Sequence, residues 1–324
     1  MVKFNGRVTG TMLTLQEHLI SSCLKSLKGN NRMTTFILAL LACLAVLCPT
    51  VLSAADDLYV NITILQSATA QGAEFYNWNR VRVKYCDGSS FTGDVEQVDP
   101  ENKLFFRGAR IFKAIMEDLW SKGMRSAENA ILCGTSAGGL ATILNCDKFK
   151  SLLPNDARVK CVADAGFFIN GNTISGTSDI QEMYRRIVNL HGSAKNLPSA
   201  CTSAMEPSLI KNIFVPENLD PQHTWKDCKE RINNCTFSQR ILIQAFGVEF
   251  LKTFECLPPS FTRGYFLTSC YSHGGIYSPA YWFTASSPRL LHKTISEAVA
   301  DWYFERAGFQ YVDQYPCARE CSLY

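Results

Sequence analysis

The stretch NAILCGTSAGGLATILNC, from Asn129 to Cys146, decides the fold of this chain. A short apolar run meets Gly134-Thr135-Ser136-Ala137-Gly138, and an alanine-containing apolar run follows. This order predicts a buried strand, a sharp turn and a helix, with Ser136 at the apex of the turn. A serine held in such a turn can act as a nucleophile, and the backbone N–H of Ala137 would then point toward a developing oxyanion.

Strands and helices alternate along the rest of the chain. The apolar periodicity predicts further strands at 58–65, 78–85, 159–163 and 264–268, and helices at 108–122, 180–191, 236–255 and 294–306. Gly123 suits the residue after the first of these helices, and Thr236 or Ser238 suits the N-cap of the third. This alternation predicts an α/β fold with a mainly parallel sheet flanked by helices.

The N-terminal segment 1–55 differs from the rest of the chain. Residues 34–54 are apolar and uncharged, they follow Arg32, and small residues at 53–55 suit cleavage by signal peptidase. We therefore interpret residues 1–55 as an N-terminal extension and a cleaved secretory signal, with Met33 as an alternative start, and 56–324 as one domain. An uncleaved membrane anchor is the alternative, because the apolar run is near the minimum spanning length.

Charge and composition exclude some classes of protein. Residues 1–54 carry five basic and one acidic side chain, so removing their net +4 from the total of +3 leaves −1. Such a balance does not suggest a nucleic-acid partner. A hydrophobic fraction of 47% with 19% charged residues is typical of a globular core rather than a disordered chain.

The cysteines indicate an oxidising compartment. Eleven of the 14 cysteines lie beyond residue 55, which predicts several disulfides, and sequons at Asn61 and Asn234 agree with glycosylation on the secretory route. The spacings Cys228–Cys235 and Cys317–Cys321 are better interpreted as disulfide partners than as metal ligands. We predict no metal site and no cofactor.

The candidate base is a histidine. An α/β hydrolase carries Ser, then Asp or Glu, then His in chain order. His273 follows the last predicted strand in a loop with two glycines, where this fold places its base. His191 lies at a helix end, His223 lies in a proline-flanked loop, and His292 falls within or just before the last helix.

Several longer runs carry a resemblance to a known family. The sequence resembles the plant pectin acetylesterases, carbohydrate esterases related to the animal Wnt deacylase Notum, in the runs FYNWNRVRVKYCDGSSFTGDVE (75–96), NKLFFRGARI (102–111), SAGGLATILNCD (136–147), CVADAGFFI (161–169), LHGSAKNLPSAC (190–201), HTWKDCK (223–229) and SCYSH (269–273). The resemblance implies a secreted α/β hydrolase that removes acetyl groups from homogalacturonan in the plant cell wall. It places Ser136 on the family's nucleophile and His273 on its base.

Two family segments are missing from this chain. The resemblance implies a glycine-rich E-G-G-G-W-C motif that completes the oxyanion hole, but Gln71-Gly72-Ala73-Glu74 passes almost directly into Phe75. It also implies an A-A-[YF]-D-S-W-Q motif with the catalytic aspartate at a strand end, but Ser208-Leu209 passes straight into Ile210. The α/β hydrolase sheet is therefore predicted to be incomplete. Asp164 is the best internal substitute for the acid, although its family counterpart is better interpreted as structural.

These observations leave alternatives for function. The first is a pectin acetylesterase whose partner is acetylated pectin polysaccharide, with membrane contact only if the signal is uncleaved. The second is a catalytically impaired or non-catalytic splice form that lacks the acid and oxyanion-hole segments. A third is a lipid or protein carboxyl-ester hydrolase like the animal relative. The sequence does not fix the oligomeric state.

Overall fold

A computed structural model describes the chain in segments that form two compact units. It describes residues 11–17, 62–66, 75, 78–85, 88–101, 103–168, 179–198, 228, 232–255, 260–269, 274, 276, 282 and 287–313. The first unit comprises the described residues within Met1–Ala68, Asn77–Gly166 and Tyr184–Ile210; the second comprises those within Thr69–Tyr76, Phe167–Met183 and Lys211–Tyr324.

The first unit is built on a sheet of five strands. They are β1 (Thr11–Glu17), β2 (Ile62–Gln66), β3 (Asn79–Tyr85), β4 (Asn129–Thr135) and β5 (Arg158–Asp164). Their order across the sheet is β2-β3-β1-β4-β5. Strands β3, β1, β4 and β5 run parallel, and β2 pairs antiparallel with β3. The prediction of a mainly parallel sheet is confirmed.

Helices α1 (Gly108–Ser121) and α2 (Ala137–Ser151) belong to the same unit, and α3 (Asp179–Leu190) follows in the chain. The apolar residues whose spacing predicted α1 form its buried face, which includes Phe112, Met116 and Leu119. Gly123 has φ 116°, the left-handed conformation expected after a helix end. Short 3-10 turns occur at Met124–Ser126 and Ser193–Asn196. The core lies between the sheet and helices α1 and α2.

Strand β1 is the main difference from the sequence analysis. The sequence placed the start of the domain at residue 56, whereas Thr11–Glu17 lies between β3 and β4 in the middle of the sheet. Leu13 is 0% exposed. The segment is short, only three of its seven residues are apolar, and it precedes the uncharged run 34–54, so its local pattern gave little reason to assign it to the core.

The second unit holds one long helix and short strands. Helix α4 (Phe237–Glu255) follows a 3-10 turn at Ile232–Asn234. Strand β6 (Tyr265–Leu267) pairs parallel with β9 (Gln310–Val312), and β7 (Arg289–Leu290) forms a hairpin with β8 (Lys293–Thr294) before α5 (Ile295–Tyr303).

Capping residues fix where these helices begin. Of the two predicted caps of α4, Thr236 is the observed one, because its Oγ1 accepts from the Gln239 N–H at 3.3 Å while Gln239 Oε1 accepts from the Thr236 N–H at 2.8 Å. Thr294 and Glu297 form the same reciprocal capping box at α5. Helix α5 ends at Tyr303, shortly before the predicted end at 306.

Two disulfides lie among the described residues. Cys146 is joined to Cys161, which links α2 to β5, and Cys228 is joined to Cys235, as predicted. Cys317 and Cys321 lie outside the described residues, as does the apolar segment 34–54. None of the helices in the described segments is long and apolar enough to cross a membrane.

Candidate active site

Ser136 lies in a strained turn between β4 and α2, as the sequence predicts. Its backbone has φ 59° and ψ −123°, a conformation that residues with a side chain rarely adopt. Two hydrogen bonds hold it: the Ser136 N–H donates to the Asp164 carbonyl at 2.9 Å, and the Leu140 N–H donates to the Ser136 carbonyl at 3.0 Å. The turn is therefore fixed by backbone contacts on both sides of the serine.

Close packing between two glycines maintains this turn. A Cβ placed on Gly139 would lie 2.7 Å from Gly166 Cα, 3.0 Å from the Asp164 carbonyl oxygen and 3.1 Å from the Gly134 carbonyl oxygen. All three atoms belong to the backbone and cannot turn away. The first turn of α2 therefore approaches the ends of β4 and β5 more closely than a side chain would permit.

The start of α2 can stabilise negative charge. Ala137 is its first residue, and the first N–H groups of a helix have no partner within the helix. The first turn contains no acidic side chain, so the positive end of the helix dipole is not neutralised there. The Ser136 side chain, although at the N-cap position, makes no cap hydrogen bond. Its hydroxyl therefore remains available for chemistry beside an anion-stabilising backbone.

Asp164 is tied to the strand that carries the serine. Its Oδ2 accepts a hydrogen bond from Thr135 Oγ1 at 2.8 Å, and its carbonyl accepts the Ser136 N–H. Asp164 therefore supports the turn through both its backbone and its side chain. This arrangement agrees with the structural role that the sequence analysis favoured for its family counterpart.

The described residues bring together only part of the predicted site. Ser136, Ala137 and Asp164 lie at one edge of the sheet, where β4 and β5 end. Strand β1 ends at the same edge, since Leu15 is the register partner of Gly134 and Glu17 follows shortly after it. His273 lies outside the described residues, and its position as the base stays a prediction.

His191 is buried in the first unit. Its side chain is 2% exposed, and its ring centroid lies 4.3 Å from that of Phe106. Nδ1 has no hydrogen-bond partner within the described segments. Burial lowers the pKa of His191 to about 4, so the ring is neutral near pH 7. His292 has φ 65° in the turn between β7 and β8, just before α5, in agreement with its predicted place.

Thr135, Gly139 and Gly166 support the site, but the sequence analysis did not single them out. The two adjacent glycines in SAGG and the single glycine in DAG are a local signal that could have indicated close backbone approach. The bond between Thr135 and Asp164 has no such signal, because the two residues are 29 positions apart.

Comparisons with known proteins identify the family. A family model described as pectinacetylesterase matches residues 53–209 and 208–322. Pectin acetylesterases 11 and 7 of Arabidopsis thaliana are 45% and 43% identical to this chain over 276 residues, which cover 77% of this chain and 71% of each relative. The palmitoleoyl-protein carboxylesterase notum1a of Danio rerio is 26% identical over 71% of this chain and 50% of its own length.

A solved structure confirms the fold. The Wnt deacylase Notum from Drosophila superposes with a TM-score of 0.66 at 19% identity, covering 97% of this chain and 90% of that chain. The two matches to the family model meet at 208–209, where the sequence analysis places the missing acid segment, and this break supports that prediction. The chain is an α/β hydrolase-fold protein that belongs to the pectinacetylesterase family of esterases.

Proposed function

We propose that this chain is a carboxylic ester hydrolase that removes acetyl groups from pectin, with Ser136 as its nucleophile. The observation that carries the proposal is the conformation of Ser136, a strained apex between β4 and α2 whose hydroxyl does not cap the helix. The names of the Arabidopsis relatives support the substrate, acetylated pectin polysaccharide.

The chemistry is acyl transfer in two steps. Ser136 Oγ attacks the acetyl carbonyl carbon, its proton passes to the base, and the ester C–O bond breaks so that the sugar hydroxyl leaves with that proton. Water then attacks the acetyl-serine carbonyl, releasing acetate and restoring Ser136. The Ala137 N–H at the start of α2 stabilises the oxyanion in both steps. His273 is the proposed base on the strength of its place in the sequence.

An impaired esterase is the second candidate function, and a specific observation favours it. The break in the family match at 208–209 coincides with the missing acid segment. In serine hydrolases the loss of the acid lowers kcat about 10⁴-fold. We therefore expect this form to act far more slowly than a complete relative such as pectin acetylesterase 11.

The test of the nucleophile is acetate release from acetylated homogalacturonan. Wild-type protein should release acetate above the background set by Ser136→Ala, at a rate about 10⁴-fold below that of a complete relative. Ser151→Ala is the matched control: this serine lies at the far end of α2, where its Oγ donates to the Lys148 carbonyl at 2.8 Å. If wild type and Ser136→Ala give the same background, this form is not a catalyst.

Asp164 supports the elbow in this proposal rather than acting as the acid. We expect Thr135→Val to lower stability by about 1 kcal/mol because it removes this hydrogen bond, whereas Asp164→Asn should change stability little because the asparagine amide oxygen can still accept from Thr135 Oγ1. The activity of the folded fraction should then be similar in both variants. Denaturant unfolding and acetate release check this. A loss of activity in Asp164→Asn alone, at wild-type stability, would identify Asp164 as the acid.

We also propose that the protein acts in the plant cell wall after secretion. The disulfides Cys146–Cys161 and Cys228–Cys235 support folding in an oxidising compartment. Residues 34–54 supply the targeting signal or an uncleaved anchor, and Asn61 and Asn234 are the proposed glycosylation sites. Peptide mapping by mass spectrometry of protein secreted from plant cells tests the disulfides and the glycans together.

A further inference from the structure

Strand β1 occupies the central position of the sheet although it comes from the N-terminal end of the chain. Every residue from Thr11 to Glu17 is a register partner of β3, from Asn79 to Tyr85. Those from Thr11 to Leu15 are also partners of β4, from Ala130 to Gly134. Both ladders are parallel. Thr11–Glu17 is thus the only described segment that connects β3 to β4 through hydrogen-bonded pairing.

The side chains of β1 agree with this position. Leu13 is the register partner of both Val81 and Leu132, so the three lie in one row across the sheet. They are 0%, 1% and 0% exposed, and all three belong to the main core cluster. Successive side chains of a strand point to opposite faces, and Met12, next to Leu13, is partly buried.

Without β1 the sheet would be divided. Neighbouring strands lie about 4.8 Å apart, so removal of β1 leaves β3 and β4 about 10 Å apart, too far to pair with each other. Their facing N–H and C=O groups would lose their partners, and the core beside Leu13 would be opened. Among the described residues, no other segment pairs with both β3 and β4.

We propose that β1 is a donor strand, and that its binding between β3 and β4 excludes membrane crossing or signal cleavage at residues 34–54 of the same molecule. The reason is topological. If residues 34–54 cross a membrane, Thr11–Glu17 lies on one side and β3–β5 on the other. If signal peptidase cuts the chain near residue 54 during translocation, before the sheet has formed, β1 stays with the signal and is lost from the sheet. The protein with a continuous sheet keeps residues 11–17 on the same side as residues 79–164, so it is a different form from the secreted, signal-cleaved one of the proposed function.

Amide hydrogen exchange on intact wild-type protein tests the pairing directly. Peptides covering Thr11–Glu17 should exchange as slowly as peptides covering β4, because the amides of both strands are in ladders at the centre of the sheet. Exchange of Thr11–Glu17 at the rate of an unstructured peptide, beside a protected β4, overturns the proposal. The measurement does not depend on esterase activity, so its failure is distinguishable from failure of the proposed function.

A nicked protein tests whether β1 binds without its covalent link. A site for a sequence-specific protease is inserted between Lys28 and Gly29, outside the described residues, and the folded protein is cleaved there. The N-terminal fragment should co-elute with the remainder in a one-to-one ratio on size exclusion at monomer size. Leu13→Asp should release it, and the conservative Leu13→Ile should retain it.

Three results of this second experiment would overturn the proposal. The first is separation of the wild-type fragment without loss of thermal stability in the remainder. The second is retention of the fragment in Leu13→Asp as firmly as in wild type. The third is elution as a dimer, which would mean that a second copy supplies the strand. If Leu13→Asp does not fold at all, hydrogen exchange on the wild-type chain still decides.

Discussion

The two units of this protein differ in how completely they cover their apolar side chains. The first has a continuous core that includes Leu13, Phe112, Leu132 and Phe149, each 0% exposed. In the second, the apolar residues of α4 include exposed ones, with Phe237 79% exposed. Ile241 and Val248 follow on the same face of the helix and are also about half exposed.

The family resemblance implies that two segments are missing from this chain. The first segment is missing between β2 and β3, and β1 lies beside β3 in the completed sheet. The second is missing at 208–209, ahead of most of the described residues of the second unit, whose strands are all short. Within the described segments, no long strand of that unit replaces the second loss.

Of the substitutions considered, Gly139→Ala in the first unit should lower the free energy of unfolding the most. The added Cβ would meet three backbone atoms between 2.7 and 3.1 Å away, so α2 must shift from the ends of β4 and β5. We expect a loss of about 3 kcal/mol in the free energy of unfolding, at the upper end for overpacked sites, and disruption of the Ser136 turn. Urea denaturation measures the first effect, and acetate release measures the second. A change in the free energy of unfolding no larger than that of an ordinary surface substitution would mean that the elbow is not as tightly packed as described.

His191 should make the stability of the first unit depend on pH. Burial lowers its pKa from the ordinary 6.5 to about 4, so between these values the unfolded chain binds a proton that the folded chain does not. Stability is unaffected above pH 6.5 and falls as the pH drops below it, by about 2 kcal/mol at pH 5. Denaturant unfolding at pH 7 and pH 5 measures the loss.

Two variants distinguish the contribution of His191 to this loss of stability from that of other titrating groups. His191→Leu should remove most of the loss between pH 7 and pH 5, and His292→Gln, in an exposed turn, should leave it unchanged. The Asp94 N–H donates to the His191 carbonyl at 2.9 Å. The Asp94 carboxyl titrates in a lower pH range than His191. Lys195 and Arg110 hold the pKa of the Asp94 carboxyl below its ordinary value, so its contribution is lost only at pH values below those tested. A full loss in His191→Leu would contradict the assignment.

The sequence predicted the elements that carry their signals locally. Strand β4 and the elbow follow from adjacent residues, and α1 follows from its periodicity and from Gly123. β1 could not be predicted in this way, because its place depends on pairing with strands that lie far away in the chain, at Asn79–Tyr85 and Ala130–Gly134. The hydrogen bond between Thr135 and Asp164 could not be predicted for the same reason, because the two residues are 29 positions apart. The predicted base His273 rests on sequence alone, so the structure describes the geometry of the predicted site only from Ser136 to the end of β5.

Gly247→Ala should have the smallest effect, with the opposite sign to Gly139→Ala. Both glycines lie inside helices, but nothing lies within 4 Å of a Cβ placed on Gly247. The added methyl group therefore meets no neighbour and reduces the freedom of the unfolded chain, which should raise stability by about 0.5–1 kcal/mol. Urea denaturation of both variants beside wild type measures the contrast. If Gly247→Ala instead lowers the free energy of unfolding, the face of α4 at Gly247 must pack against another part of the protein, and the second unit is more fully covered than its exposed side chains indicate.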